Sequence, residues 1–219
     1  QFAYAWFCSR ILSMGKKVAV FSFFSGAGFL DLGFENSGYD VCFANEYDPV
    51  FMQAHSYSRK KMGMPTPKFG YHQNSATDFL DGTDRRKLKR FTKNARNEYD
   101  LIGFIAVPPC PYFSVAGKNR GSEGSHGMLT GVYIDMVIDQ KPDFFIFENV
   151  KGLWTTAKHK AYYTKLLAKL SVAGYATTDR LVNALEFGVA QDRDRVILIG
   201  FNRSVFKDNA ASFPWRAFM

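Results

Sequence analysis

A thiol and a carboxyl group each follow an apolar, strand-like run in the second half of this 219-residue chain. Cys110 comes after the run 101–107 and two prolines, and Glu148 ends the run 144–147. A thiolate is a strong nucleophile that can also leave again. A carboxyl group in apolar surroundings has a raised pKa and can act as an acid. Together the two residues suit nucleophilic addition assisted by an acid.

Taken singly, each of these residues has a simpler interpretation. A lone cysteine is usually a small buried apolar side chain, and a lone glutamate after a strand is usually solvated or caps a helix. Their placement at the ends of successive predicted strands favours the catalytic interpretation. Cys42 lies inside a predicted strand, so we expect it in the core, and Cys8 has no such context.

A glycine-containing segment follows the first predicted strand and is typical of a nucleotide site. Gly26 and Gly28 let the backbone approach a ligand closely at a helix N-terminus. Glu46, twenty residues after Gly26, ends the second predicted strand, where a carboxylate can bind ribose hydroxyls. Asp31 stands where the dinucleotide fingerprint has its third glycine. This disfavours a nicotinamide or flavin cofactor but not another nucleoside-bearing one.

Two further polar segments are open to two interpretations each. Asp78 could end a weak third strand and accept an adenine amino group, or it could cap a helix. Arg193 and Arg195 lie in the polar turn 191–195 and could hold a base carbonyl or a phosphate. Taken alone, the turn is better interpreted as a solvated hairpin tip with alternating charges.

The elements that must position these residues alternate between strand and helix. This alternation predicts an α/β fold with a doubly wound, mostly parallel, Rossmann-like sheet, whose ligands bind beyond the carboxyl ends of the strands. The main strands are predicted at 17–23, 40–45, 101–107, 143–148, 175–185 and 195–201. Helices are predicted to start at Pro49 and to cover about 85–93, 129–140 and 158–172. We expect one catalytic domain at 16–203, preceded by an upstream segment or leader at 1–15 and followed at 204–219 by the start of a C-terminal region.

Composition narrows the class of protein. The net charge of +8 fits a polyanionic partner such as nucleic acid. Three scattered cysteines and four histidines show neither a disulfide framework nor metal-ligand spacing, so we expect no metal and a reducing, intracellular setting. No apolar run reaches the roughly 18 residues that span a bilayer, so we expect no membrane contact.

Four segments together resemble the cytosine carbon-5 methyltransferase family in order and spacing. Residues 24–30 resemble its cofactor motif, and Pro108-Pro109-Cys110, continuing to Phe113-Ser114, resembles its nucleophile motif. Residues 147–150 resemble the Glu-Asn-Val motif, and 191–195 match Gln-x-Arg-x-Arg. The resemblance covers roughly residues 17–201.

The resemblance implies that S-adenosylmethionine methylates carbon-5 of a cytosine flipped out of double-stranded DNA, leaving S-adenosylhomocysteine. Cys110 would attack carbon-6, Glu148 would hold N3, and Arg195, with Arg193 nearby, would bind the base carbonyl. Asn149 would support the active-site loop, and the loop 113–127, with Lys118 and Arg120, would close over the base. The residues implied to bind the cofactor are Phe24, Ser25, Gly26, Ala27, Gly28, Phe29, Leu30, Glu46, Asp78, Pro108 and Leu129.

One cytosine ring must present carbon-6 to sulfur, N3 to a carboxyl group and its carbonyl to an arginine at the same time. Cys110, Glu148 and Arg195 should therefore converge on one small volume. Glu148 and Arg195, at strand ends, should be nearly in place even without DNA.

The sequence also departs from the family pattern. Pro111 replaces a frequent glutamine, and Phe29 replaces a frequent glycine. The family's target-recognition region and its closing helix are not visible before Met219, and residues 2–12 could be a permuted relic of that helix.

Three other functions are alternatives to DNA cytosine methylation. An exocyclic-amine methyltransferase is disfavoured because Val107 and Cys110 flank the proline pair, where that class needs a polar and an aromatic residue. A non-catalytic, nucleic-acid-binding paralogue and an RNA cytosine methyltransferase stay open. We favour a DNA-methylating enzyme of the restriction–modification type, in a bacterial or phage cytosol rather than a nucleus.

Overall fold

The computed structural model describes residues 15–109, 127–206 and 215. The chain divides into two compact units, one ending at Val107 and the other beginning at Pro108. Each unit has its own strands, helices and buried aromatic residues, and each is described by itself.

The first unit is a parallel sheet with helical connections. Its elements are β1 (Val18–Phe23), α1 (Phe29–Glu35), β2 (Asp40–Asn45), α2 (Pro49–Lys61), β3 (Tyr71–His72), a 3₁₀ helix (Ala76–Leu80), α3 (Gly82–Ala95) and β4 (Leu101–Ala106). The strand order is β3-β2-β1-β4, and every neighbouring pair is parallel. The chain moves outward from β1 to β3 and returns on the other side of β1 as β4. This reversal makes the carboxyl end of β1 a topological switch point, where ligands bind in such sheets.

Aromatic side chains fill the core of the first unit. Phe21 is fully buried, and its ring lies 5.5 Å from Phe43 and 5.6 Å from Phe104, centroid to centroid. Phe23 lies 5.0 Å from Phe104. Because every side chain of β1 is buried, the strand holds the loop that follows it in a fixed place.

Local sequence signals explain where α2 begins. The Asp48 carboxylate accepts hydrogen bonds from the backbone N–H of Val50 (2.8 Å) and of Phe51 (3.3 Å), and proline occupies the first turn. Both features satisfy or remove helix N–H groups that would otherwise lack a partner. The helix start predicted at Pro49 is confirmed.

The second unit combines helices with an antiparallel set of strands. Its elements are α4 (Gly127–Gln140), β5 (Phe144–Val150), α5 (Gly152–Thr155), α6 (Ala157–Val172), β6 (Tyr175–Asn183), a second 3₁₀ helix (Ala184–Phe187), β7 (Asp194–Asn202) and α7 (Arg203–Phe206). The strand order is β5-β7-β6, and β7 runs antiparallel to both neighbours.

The core of the second unit is also aromatic. Tyr133 on α4 stacks on Phe147 at 6.2 Å, and its hydroxyl donates to the carbonyl of Ile146 at 3.1 Å. Phe145 on β5 lies opposite Gly200 on β7 and covers the space that a side chain there would need. The residues around Glu148 are therefore tightly packed, which fixes the strand that carries it.

The α/β class and the predicted strands and helices are confirmed to within a few residues. Four short elements were not predicted: the two 3₁₀ helices, α5 and α7. The weak third strand is present, but it covers only Tyr71–His72. None of the helices in the described ranges is long and apolar enough to cross a bilayer. The assignment of 16–203 to one catalytic domain stays a prediction.

Candidate active site

The glycine loop after β1 has an unusual backbone. Phe24, Gly26 and Gly28 all have positive φ, at 52°, 55° and 83°. A backbone with positive φ costs a non-glycine residue about 1–3 kcal/mol. Such a conformation persists only where the surrounding structure enforces it. The N–H of Ser25 donates to the Asn45 carbonyl at 3.0 Å, which ties the loop to the end of β2. A Cβ on Gly26 would meet no atom within 4 Å, so this glycine faces open space.

Glu46 is brought to the same loop, as its predicted role requires. Its Oε2 accepts a hydrogen bond from the N–H of Gly26 at 2.8 Å, and its Oε1 accepts from the N–H of Asp48 at 2.9 Å. The side chain is half-buried at the end of β2. Each carboxylate oxygen can accept a further hydrogen bond, so Glu46 can still receive ligand hydroxyls.

The other residues assigned to the cofactor motif differ in exposure. Phe29 is 81% exposed, whereas Ser25 is buried. Ala27 and Leu30 are half-buried. Tyr47, directly after Glu46, is 73% exposed as well.

The structure corrects the predicted position of Asp78. The third strand ends at His72, and Asp78 lies instead in the 3₁₀ helix Ala76–Leu80, where its side chain is exposed. The N-cap of this helix is Ser75, so the alternative interpretation of Asp78 as a cap is also wrong. The N–H of Asp78 donates to the carbonyl of Ser75 at 3.0 Å, so the chain is turned at this point and cannot continue a strand.

Glu148 and Arg195 form an ion pair in the second unit. Arg195 Nε lies 2.8 Å from Glu148 Oε1. In the antiparallel register Glu148 faces Ile197, so Arg195 is its diagonal neighbour two residues away on the same face of the strands. The side chain of Glu148 is 17% exposed and that of Arg195 is 21% exposed. The predicted proximity of these two residues is thus present without any ligand.

Burial raises the pKa of Glu148 above its usual value, as the apolar strand predicted. The nearby cations Arg195 and Arg193 oppose this effect and pull the pKa of Glu148 down again. The net direction is upward, so desolvation outweighs the attraction of two guanidinium groups. A carboxyl group whose pKa is raised holds its proton more readily than a solvated one and can share it with a ring nitrogen.

Asn183, which was not predicted, organises the turn that carries Arg193. Asn183, at the end of β6, donates through Nδ2 to the carboxylates of Asp192 (2.7 Å) and Asp194 (2.9 Å). Its Oδ1 accepts from the N–H of Leu185, and Glu186 accepts from the N–H of Asn183. This reciprocal arrangement is a capping box, and the spacing Asn-x-x-Glu at 183–186 would have indicated it.

The remaining predicted positions divide between described and undescribed residues. Asn149 is buried, and its Oδ1 accepts from the N–H of Val150 at 2.8 Å. Pro108 is buried, and Leu129 is half-buried in the first turn of α4. Cys110, Pro111 and the loop 113–126, including Lys118 and Arg120, lie outside the described residues. The convergence of Cys110 with Glu148 and Arg195 therefore stays a prediction.

Two buried side chains on α2, His55 and Arg59, also contact the glycine loop and were not predicted. Their only sequence signal is the four-residue spacing, which places both on one face of the helix. Cys42 is buried on β2, as predicted. Among the described residues no group of His, Cys, Asp and Glu is arranged to hold a metal ion.

Comparison with known proteins identifies relatives over most of the chain. A family model described as C-5 cytosine-specific DNA methylase matches residues 18–217. The type II methyltransferase M.NmeDI of Neisseria meningitidis serogroup C is 48% identical over 202 residues, which cover 92% of this chain and 48% of that protein. The type II methyltransferase M.NgoPII of Neisseria gonorrhoeae is 35% identical over 199 residues, covering 91% of this chain and 52% of that protein.

Solved structures agree with the fold class. The crystal structure of an E. coli prophage-encoded protein, assigned as a DNA modification methyltransferase, matches with a TM-score of 0.63 and 26% identity. The match covers 86% of this chain and 48% of that one. The predicted Rossmann-like methyltransferase fold is confirmed. The chain spans about half the length of the curated relatives that it matches.

Proposed function

Because the chain belongs to the C-5 cytosine-specific DNA methylase family, we propose that it carries the catalytic part of a DNA cytosine-5 methyltransferase. The substrate is a cytosine flipped out of double-stranded DNA, and the methyl donor is S-adenosylmethionine. The net charge of +8 supports a polyanionic substrate. The bacterial sources of the relatives support a cytosolic location beside chromosomal or phage DNA.

The ion pair of Glu148 and Arg195 is the observation that carries this proposal. A cytosine ring offers a basic N3 next to its carbonyl oxygen, so it is recognised by a proton donor beside a cation. Glu148 has a raised pKa and can hold a proton toward N3, while Arg195 can donate to the carbonyl. The two groups lie 2.8 Å apart, close enough to contact N3 and the neighbouring carbonyl oxygen of one ring at the same time. Arg193 adds positive charge on the same side.

The thiolate of Cys110 acts on the ring held by this pair. Carbon-5 of cytosine is a poor nucleophile, and a bond from the sulfur to carbon-6 raises the electron density at carbon-5. Glu148 supports this addition by keeping N3 protonated while negative charge develops in the ring. Carbon-5 would then take the methyl group of S-adenosylmethionine, which leaves as S-adenosylhomocysteine. Loss of the carbon-5 proton to a base would break the sulfur–carbon bond and release the thiolate. Asn149 and the loop 113–127 position the nucleophile and exclude water.

The residues of the first unit fit the donor. The open space beside Gly26 accepts its methionine part without a steric clash, and the half-buried carboxylate of Glu46 is placed for ribose hydroxyls. Phe24, Ser25, Ala27, Gly28, Phe29 and Leu30 complete the loop, and Asp78 is assigned to the adenine. In the second unit, Leu129 is assigned to the adenine pocket and Pro108 to the cofactor. When bound, S-adenosylmethionine supplies an electrophilic methyl group.

Two measurements on the longest natural form of the protein test this function. Calorimetry should detect binding of S-adenosylmethionine and of S-adenosylhomocysteine to the protein, but no binding of NAD. Labelled methyl groups should appear at carbon-5 of cytosine in duplex DNA, and Glu148→Gln should slow the transfer by roughly 10²–10⁴-fold. Matched control reactions with transfer RNA separate DNA from RNA methylation. Binding of NAD alone, or full activity of Glu148→Gln, would reject the proposal.

A further inference from the structure

A polar cluster lies buried beneath the glycine loop, where the reaction itself has no use for it. It consists of Asp31 on α1 and His55 and Arg59 on α2, which are 0%, 1% and 3% exposed. Buried charges are costly unless they are paired, and apolar residues of similar size often stabilise a fold as well. A cluster of this kind in a small sheet therefore calls for a reason other than stability.

Arg59 connects the loop to α1 through two separate nitrogens. Its Nη2 donates to the carbonyl of Gly28 at 2.6 Å, and its Nε lies 2.7 Å from Glu35 Oε2. The planar guanidinium group presents both contacts in a fixed geometry. The carbonyl of Gly28 also accepts the first hydrogen bond of α1, from the N–H of Leu32 at 2.9 Å. Arg59 thus holds the point where the loop becomes a helix.

His55 supports the other side of the loop. Its Nδ1 lies 3.3 Å from the hydroxyl of Ser25, and its ring fills the space beside Gly28, where an added Cβ would be 2.6 Å from Nε2. Burial, helped by the charge of Arg59, lowers the pKa of His55 to about 4, so the ring is neutral at pH 7. A neutral ring can accept from Ser25 at Nδ1 and point its Nε2–H toward Asp31 Oδ2, 3.5 Å away. Asp31 in turn accepts from Ser22 at 2.6 Å.

Arg59 and His55 both contact the loop after β1, in which Phe24, Gly26 and Gly28 have positive φ. Such a backbone keeps its shape only where neighbouring groups enforce it. We propose that Arg59 and His55 are positioning residues of the methyl-donor site, which hold the loop Ser25–Gly28 in the shape that presents Glu46 and the open side of Gly26 to the donor. The identity of the ligand rests on the proposed function, whereas the role in holding the loop does not.

The test uses variants that disturb the contacts while keeping the charges balanced. Arg59→Lys keeps a cation beside Glu35, but one ammonium group cannot serve Glu35 and Gly28 from both positions. The double variant Glu35→Gln/Arg59→Met removes the ion pair without leaving a buried charge unpaired. Arg86→Lys, at an exposed arginine on α3, is the matched control. Circular dichroism establishes that each variant is folded.

Two readouts distinguish positioning from general stability. Amide hydrogen exchange in the ligand-free protein should rise roughly tenfold for the Leu32 and Gly28 N–H groups while β1 amides stay unchanged. The affinity for S-adenosylhomocysteine should fall roughly tenfold, the loss expected for one hydrogen bond to a charged group. The control should change neither.

Each outcome decides a separate question. Loop exchange within twofold of the wild-type protein in both variants would reject the positioning role. Faster loop exchange with unchanged affinity for S-adenosylhomocysteine would show that the cluster holds the loop but not for donor binding. This result would reject the assignment of Arg59 and His55 to the methyl-donor site. If the wild-type protein binds no S-adenosylhomocysteine, the proposed donor is wrong, and the exchange measurement still decides whether Arg59 holds the loop.

Discussion

At the scale of single residues, the central feature is the balance at Glu148. Burial favours its neutral form, and Arg195 and Arg193 favour its charged form. Two charges about 3 Å apart attract strongly in a low dielectric, yet the raised pKa shows that desolvation wins. The glutamate therefore holds a proton more readily than a solvated carboxyl group does, which suits a group that must share a proton with a base.

This balance predicts the effect of removing Arg195. In Arg195→Gln, one of the influences that lower the pKa of Glu148 is lost, so that pKa should rise further. The change is measured by ¹³C NMR titration of the glutamate carboxyl signals. Arg203→Gln is the control, because Arg203 does not contribute to the raised pKa of Glu148. In this variant the pKa of Glu148 should be unchanged. An unchanged or lowered pKa of Glu148 in Arg195→Gln would show that the ion pair does not control its protonation.

Single-residue reasoning from the sequence succeeded where strand ends fixed the geometry. Glu46 meets Gly26 because the ends of neighbouring parallel strands lie close together. The contact of Glu148 with Arg195 was expected from the chemistry of the cytosine ring, and it forms because β7 is antiparallel to β5, so that the start of β7 lies beside the end of β5. The same reasoning failed for Asp78, because the third strand is only two residues long and Asp78 lies in the 3₁₀ helix that follows it. It also missed Arg59, because a basic residue in the last turn of a helix looks like any solvated cation until the fold buries it.

At the scale of elements, hydrophobic runs and caps located most strands and helices. The direction of β7 could not be inferred from alternation alone, since that pattern implies parallel strands. A signal was present, however, because only the ten residues 184–193 connect β6 to β7, too few for the usual crossover helix. The capping box at 183–186 marks that connection as a tight, ordered turn.

The turn between β6 and β7 should depend on Asn183. In Asn183→Ala, the cap of the 3₁₀ helix and two hydrogen bonds to Asp192 and Asp194 are lost together. We expect the free energy of unfolding to fall by about 1–3 kcal/mol. Urea unfolding measures the loss. Asn94→Ala, at an exposed position on α3, is the matched control and should change stability by less than about 0.5 kcal/mol. Equal effects of the two substitutions would show that Asn183 has no special role.

At the scale of the whole molecule, the buried cluster links stability to pH. Burial raises the pKa of Asp31 to about 7 and lowers that of His55 to about 4. Between about pH 4 and 7 the folded state holds a proton on Asp31 that the unfolded state has lost, so this group makes stability fall as pH rises. Between about pH 4 and 6.5 His55 has the opposite effect, because only the unfolded state is protonated. The two contributions nearly cancel.

Removing one partner should expose the other. In Asp31→Asn only the contribution of His55 remains, so the free energy of unfolding should rise by about 1.4 kcal/mol per pH unit, relative to the wild-type protein, across pH 4 to 7. Urea unfolding at a series of pH values gives the two curves. Asn94→Ala, at an exposed position on α3 without an ionisable group, should give a curve parallel to that of the wild-type protein. A parallel curve for Asp31→Asn would mean that Asp31 is not protonated in the folded state.

The most direct test of the account is whether Cys110 bonds to the base. A duplex oligonucleotide containing 5-fluorocytosine within the target sequence, incubated with S-adenosylmethionine and the longest natural form of the protein, should give a complex that survives denaturing electrophoresis. Fluorine at carbon-5 cannot leave as a proton does, so the sulfur–carbon bond persists. Cys110→Ser should give no complex, and Cys42→Ser, at the buried cysteine on β2, should still give one. A stable complex formed by folded Cys110→Ser would contradict the account.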